Sequence, residues 1–82
     1  MRLVSMNYFL PAAKEEGFAV GQFNMNNLEY VQAITKAALE ERSPFIFGAS
    51  EGAIRYMGLS NVVALARIAA EEANVPIALH LD

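Results

Sequence analysis

One short pattern recurs three times in this chain, and that recurrence limits the folds open to it. "GFAVGQFN" (17–24), "SPFIFGAS" (43–50) and "NVPIALHLD" (74–82) each begin beside a Gly or Pro and continue through Phe, Val, Ile or Leu. Each ends on a polar side chain: Asn24, Ser50 and Asp82. Alternation within the runs is weak, so they read as strands buried on both faces, as parallel strands under helices are. Their starts lie about thirty residues apart, which leaves room for a crossover helix each time. Strands are expected near 18–24, 45–50 and 75–82.

The intervening segments carry helical signals. In "NNLEYVQAITKAALEER" Asn26 is followed three residues later by Glu29, a capping-box spacing, and Pro44 stops the pattern, so a helix is expected near 27–42. "SNVVALARIAAEEAN" begins at Ser60, a good N-cap, and predicts a helix near 60–74. Its polar stripe is narrow (Arg67, Glu71 and Asn74, with Arg67 and Glu71 spaced for an i,i+4 ion pair), and so broad an apolar arc implies neighbours on several sides. "SMNYFLPAAKEEG" predicts a helix near 5–16, capped by Ser5 and ended by Gly17, with a break or late start at Pro11. "EGAIRYMGL" (51–59) reads as a loop with a short helical turn.

Two successive crossovers give a three-stranded parallel sheet. Such a sheet is completed either as a (β/α)₈ barrel or as an open doubly wound layer. The short regular repeat and the lack of a glycine fingerprint favour the barrel, so residues 1–82 are expected to form the amino-terminal portion of a single α/β TIM-barrel domain, incomplete in this chain. Composition agrees. The chain has 82 residues, 55% of them hydrophobic and only 18% charged, whereas a free-standing domain this short buries only roughly 60% of its chain surface. That is the composition of a piece of a larger core.

Composition also narrows the partners. Net charge is −3 and the six basic residues are scattered, which argues against nucleic acid. Without cysteine there are no disulfides and no thiolate metal sites in the segment. The longest apolar runs fall far short of a membrane span, and "MRLVSM" has no secretory character, so a cytoplasmic protein without membrane contact is expected.

In a parallel sheet all carboxyl ends lie on one side, and ligands bind there. Asn24, Ser50 and Asp82 hold that position on three consecutive strands. Any one of them alone is as readily a turn or cap residue. "GASEG" (48–52) matches the G-x-S-x-G nucleophile elbow, but His80 precedes Asp82 by two residues, the wrong order for a hydrolase triad. Ser50 also suits a phosphate contact, because Gly48, Ala49, Gly52 and Ala53 let backbone N–H groups approach an anion. His80 and Asp82 share a strand face; His80 alone reads as a core imidazole, while a carboxylate buried there needs a cation, a metal-bound group or a substrate hydroxyl. No three-ligand metal cluster is present. The tyrosines, phenylalanines and methionines are assigned to packing, and Glu51 and Arg55 to a solvated pair.

"GFAVGQFNMNN", "SPFIFGASEGAIRYMG" and "VPIALHLD" together resemble the amino-terminal segments of class II, zinc-dependent fructose-1,6-bisphosphate aldolases, in order and spacing. The likeness spans essentially all of this sequence and a minor part of the family's chain. It implies a (β/α)₈ barrel and the reversible cleavage of fructose 1,6-bisphosphate to dihydroxyacetone phosphate and glyceraldehyde 3-phosphate. The related tagatose-bisphosphate aldolases share the motifs. The resemblance implies that Asp82 is the general acid/base at the C4 hydroxyl, that Ser50 contacts the aldehyde-side phosphate, and that Asn24 hydrogen-bonds beside substrate and Ser50. It implies a Zn²⁺ electrophile whose ligands follow residue 82, no ligand role for His80, and a homo-oligomer for the full-length enzyme. The 82 residues alone are then expected to be inactive and to reflect loss of a carboxyl-terminal part. A non-catalytic module associating through open sheet edges is the reading from another class.

Overall fold

A computed structural model describes residues 2–82. Three strands, β1 (Gln22–Asn24), β2 (Phe45–Ala49) and β3 (Ile77–Leu81), form one sheet in the order β1-β2-β3, both pairs parallel. Four helices accompany them: α1 (Leu10–Glu16), α2 (Leu28–Glu41), α3 (Glu51–Met57) and α4 (Leu59–Ala73), with a 3₁₀ turn at Met6–Tyr8.

The register sorts side chains onto two faces. Gln22, Ile46 and Ala78 form one row, and Asn24, Gly48 and His80 form the next row on the same face. Phe45, Phe47, Ala49 and Ile77 lie on the opposite face, in a core with Val31 and Ala38 of α2 and Val62, Ala66, Ala69, Ala70 and Ala73 of α4. The alanine stripe lets α4 approach closely, and the rings of Phe45 and Phe47 meet edge to face at 4.7 Å. On the first face Phe9 packs with Ile46 and Ala78, flanked by Val4, Met6 and Val20. The Val4 amide donates to the Ile77 carbonyl at 2.9 Å, tying the leading segment to the amino end of β3. That end of the face is closed by the chain itself. The carboxyl end is open.

Several boundaries differ from the sequence reading, each for a local reason. β1 begins at Gln22 rather than near 18, because Gly17 leaves α1 in the left-handed region (φ 76) and the Phe18 amide is spent on the Ala13 carbonyl. β3 begins at Ile77 because Pro76 has no N–H to give; only its carbonyl joins the ladder, accepting from the Phe45 amide at 3.3 Å. The cap of α2 is Asn27, one residue beyond Asn26: its Oδ1 accepts from the Tyr30 amide at 2.9 Å. Pro11 falls in the first turn of α1, and the expected break lies just before it at Phe9. Residues 51–57 form a two-turn helix rather than a loop, because Ser50 caps it. Ser60 does not cap α4, which starts directly from Gly58 (φ 89), while Asn61 Nδ2 donates to the Met57 carbonyl at 2.8 Å and satisfies the end of α3.

Arg67 and Glu71 form no ion pair among the described residues, since an exposed pair gains little in water. Glu51 and Arg55 do pair, both well exposed. The tyrosines are not core residues: Tyr8, Tyr30 and Tyr56 are all exposed. β1 is exposed along its length, whereas β2 is wholly buried. No helix of the described residues is long and apolar enough to cross a membrane.

Candidate active site

The polar strand ends converge as parallel geometry requires. Asn24 closes β1, Ser50 follows β2 directly, and Asp82 follows β3 with its amide donating to the Ala49 carbonyl at 2.9 Å. That bond carries the β2–β3 register one step beyond the strands, so Ser50 and Asp82 occupy neighbouring columns, about 5 Å apart at the backbone. Asn24 sits one row lower on the next column, a step of about 6.6 Å along the strand. All three belong to one rim, on the same face as His80. Up this face the β2 and β3 columns change from apolar Ile46 and Ala78 to Gly48 and His80, and the rim residues Ser50 and Asp82 follow, while β1 contributes polar Gln22 and Asn24.

Each rim residue is held differently. Ser50 has ordinary extended backbone (φ −75, ψ 163), and its Oγ accepts from the Ala53 amide at 3.1 Å as the cap of α3. Its hydroxyl proton stays available to donate. Nothing here resembles a strained nucleophile elbow, and among the described residues no imidazole approaches Ser50 to take its proton. Asn24 and Asp82 are exposed, and among the described residues their side chains have no hydrogen-bond partner. Within this chain Asp82, its last residue, is exposed. His80 is half-buried, with its Nδ1 enclosed and unpartnered.

The described residues contain no cluster of three or more His, Cys, Asp or Glu able to hold a metal ion, so they do not fit a zinc site by themselves. A recess of 370 Å³ is lined mainly by apolar residues, among them Phe23, Ile34, Ala38 and Phe45, with Glu41 and Ser43 its polar members. The sequence reading passed over Gln22. It shares the polar face with Asn24, and the period of two in "QFN" is the signal that places it there.

Comparison with known proteins bears on what this rim does. A family model described as fructose-bisphosphate aldolase class-II matches residues 4–82. The "Probable fructose-bisphosphate aldolase" of Bacillus subtilis (strain 168) is 59% identical over 85 aligned positions, covering all of this chain and 30% of the relative. A fructose-bisphosphate aldolase of Staphylococcus epidermidis is 52% identical over the same span, again 30% of its length. The crystal structure of the YdjI aldolase from Escherichia coli K12 superposes with a TM-score of 0.86 at 26% identity, over 98% of this chain and 31% of that one. The chain thus spans about 30% of the length of the curated relatives it matches.

Proposed function

Because the chain belongs to the class II fructose-bisphosphate aldolase family, and its sheet is the first part of a (β/α)₈ barrel, we propose that the longer polypeptide of which it forms a part is an aldehyde-lyase that reversibly cleaves fructose 1,6-bisphosphate to dihydroxyacetone phosphate and glyceraldehyde 3-phosphate. The observation that carries this reading is the single polar rim: a carboxylate, a hydroxyl and a carboxamide on adjacent strand ends.

In this reading Asp82 takes the proton of the C4 hydroxyl as the C3–C4 bond breaks, so the aldehyde departs and the electron pair stays on the dihydroxyacetone phosphate half. A carboxylate exposed at a strand end is placed to receive that proton. Ser50 donates its remaining proton to the aldehyde-side phosphate while its lone pair caps α3. Asn24, one row below, fixes a substrate oxygen beside Ser50. The Zn²⁺ that the family implies is not held by these residues, and we place its ligands outside residues 2–82. The 82 residues alone are accordingly inactive, and the full-length protein is soluble, cytoplasmic and a homo-oligomer.

The test is direct. The full-length protein should release triose phosphates from fructose 1,6-bisphosphate and lose turnover under chelation. The 82-residue chain should release none. Faster cleavage of tagatose 1,6-bisphosphate would move the assignment to the sister activity, which shares every rim residue discussed. Cleavage of neither sugar would overturn the reading.

A further inference from the structure

The row Asn24–Gly48–His80 has a gap in its middle, because Gly48 has no side chain. The carboxamide of Gln22 fills it from the row below. Gln22 Nε2 lies 2.6 Å from where a Cβ on Gly48 would sit, with Cδ at 3.1 Å and Cγ at 3.2 Å. The side chain is therefore laid flat across β2, directed from the β1 column toward the β3 column. On that next column stands His80, whose Nδ1 is buried and lacks any partner. A buried ring nitrogen without a partner is costly, and the Gln22 carboxamide seated on Gly48 is a donor on the same face. The two groups are not bonded in this structure, but no Gly48 side chain separates them, and neighbouring columns are only about 4.8 Å apart.

We propose that Gln22 is a positioning residue of the rim, its Nε2 donating to His80 Nδ1 across Gly48. The bond holds the imidazole in the Nε2–H tautomer, because an acceptor Nδ1 leaves the proton on the other nitrogen. The Nε2–H is then free to donate to a carboxylate or a substrate oxygen from the row just below Asp82 and Ser50. Glycine at 48 is explained by the same contact, since a methyl group there would displace the carboxamide. The catalytic consequence rests on the proposed aldolase function. The contact itself does not.

The experiment uses the full-length enzyme labelled with ¹⁵N-histidine, with the His80 signals assigned by their loss in His80→Gln. Wild type should show an unprotonated Nδ1. Gln22→Glu keeps the reach but replaces the donor with an acceptor, so it should move the proton to Nδ1. Gln22→Leu and Gly48→Ala should both abolish the wild-type Nδ1 shift, and the double variant should add nothing further. Orienting partners of site residues are typically worth about 10–100-fold in activity. Gln22→Leu and Gly48→Ala should therefore lower kcat about 10–100-fold with KM nearly unchanged. Identical His80 nitrogen shifts in wild type, Gln22→Leu and Gln22→Glu would overturn the contact. Altered shifts with unchanged kcat would overturn the positioning role. If the wild-type enzyme cleaves no ketose bisphosphate, the proposed function falls separately, and the nitrogen shifts still decide whether Gln22 holds His80.

Discussion

Ser50 performs two tasks in this account, and substitutions at that one position separate them. Its Oγ accepts from the Ala53 amide at 3.1 Å and starts α3, while its proton is assigned to a phosphate. Ser50→Ala removes both interactions. Loss of the cap should lower unfolding free energy by about 0.5–2 kcal/mol. Loss of a hydrogen bond to a charged group should cost a further 1.5–3 kcal/mol or so of transition-state binding, which at about 1.4 kcal/mol per decade is about 10- to 150-fold in kcat/KM. Ser50→Asp is the informative partner. It caps as well as serine does, so stability should stay within about 0.5 kcal/mol of wild type, but its carboxylate repels the phosphate and kcat/KM should fall further than in Ser50→Ala.

Urea denaturation of the full-length enzyme measures the first effect, and coupled triose phosphate release measures the second. Fructose 1-phosphate, which lacks the aldehyde-side phosphate, completes a cycle of variant against substrate. With that substrate Ser50→Ala should be nearly silent in kcat/KM. Equal penalties on both substrates would place Ser50 away from that phosphate. A Ser50→Asp enzyme with kcat/KM within twofold of wild type on the bisphosphate would refute the phosphate contact outright, and equal loss of stability in Ser50→Ala and Ser50→Asp would refute the cap.

Other perturbations test other parts of the structure. Asp82→Ala in the full-length enzyme should lower kcat by about 10²–10⁴-fold, the range for a general acid/base, and near-normal turnover would remove Asp82 from the reaction. Asn27→Ala should cost about 0.5–2 kcal/mol through loss of the α2 cap, whereas Asn26→Ala should fall within about 0.5 kcal/mol of wild type; the reverse order in urea would restore Asn26 as the cap. Ile77→Ala, at a fully buried position against the helices, should cost about 2–5 kcal/mol by the same measurement. The 82-residue chain should associate through the free edge of β1 and the part of the outer β3 edge beyond the Val4–Ile77 bond, giving concentration-dependent, heterogeneous sedimentation. A single small oligomer at all concentrations would favour a self-standing module instead.

How far these features could be read from sequence depends on which side of the sheet they occupy. The helix-facing side was legible because its signals are local: the apolar run of β2 reads as a buried strand, and the broad apolar arc of α4 calls for neighbours on several sides. Cap positions were not legible to the residue. Asn26 and Asn27 are chemically identical, and the choice between them is made by where Met25, fully buried, anchors the end of β1. The tyrosines were misassigned because hydrophobic bulk does not say which face of a helix it rides on. The carboxyl-terminal rim was legible as residue types but not as a row, because a row exists only once the register is fixed, and register is a property of pairs of strands.

That distinction explains why Gln22 escaped notice. Read along the chain it is an ordinary polar residue two positions before the more conspicuous Asn24; read across the sheet it is the side chain that occupies the space a glycine leaves open beside a histidine. The same logic sets what this chain contributes to catalysis. Its own leading segment, through Val4, Met6 and Phe9, fills the lower part of the inner face and makes the first rows a packed floor. A packed floor fixes the strand register from below, and a fixed register is what keeps Ser50 beside Asp82 and Asn24 one row down. In the proposed function this chain supplies the acid/base carboxylate, one phosphate-binding hydroxyl and the floor that aligns them.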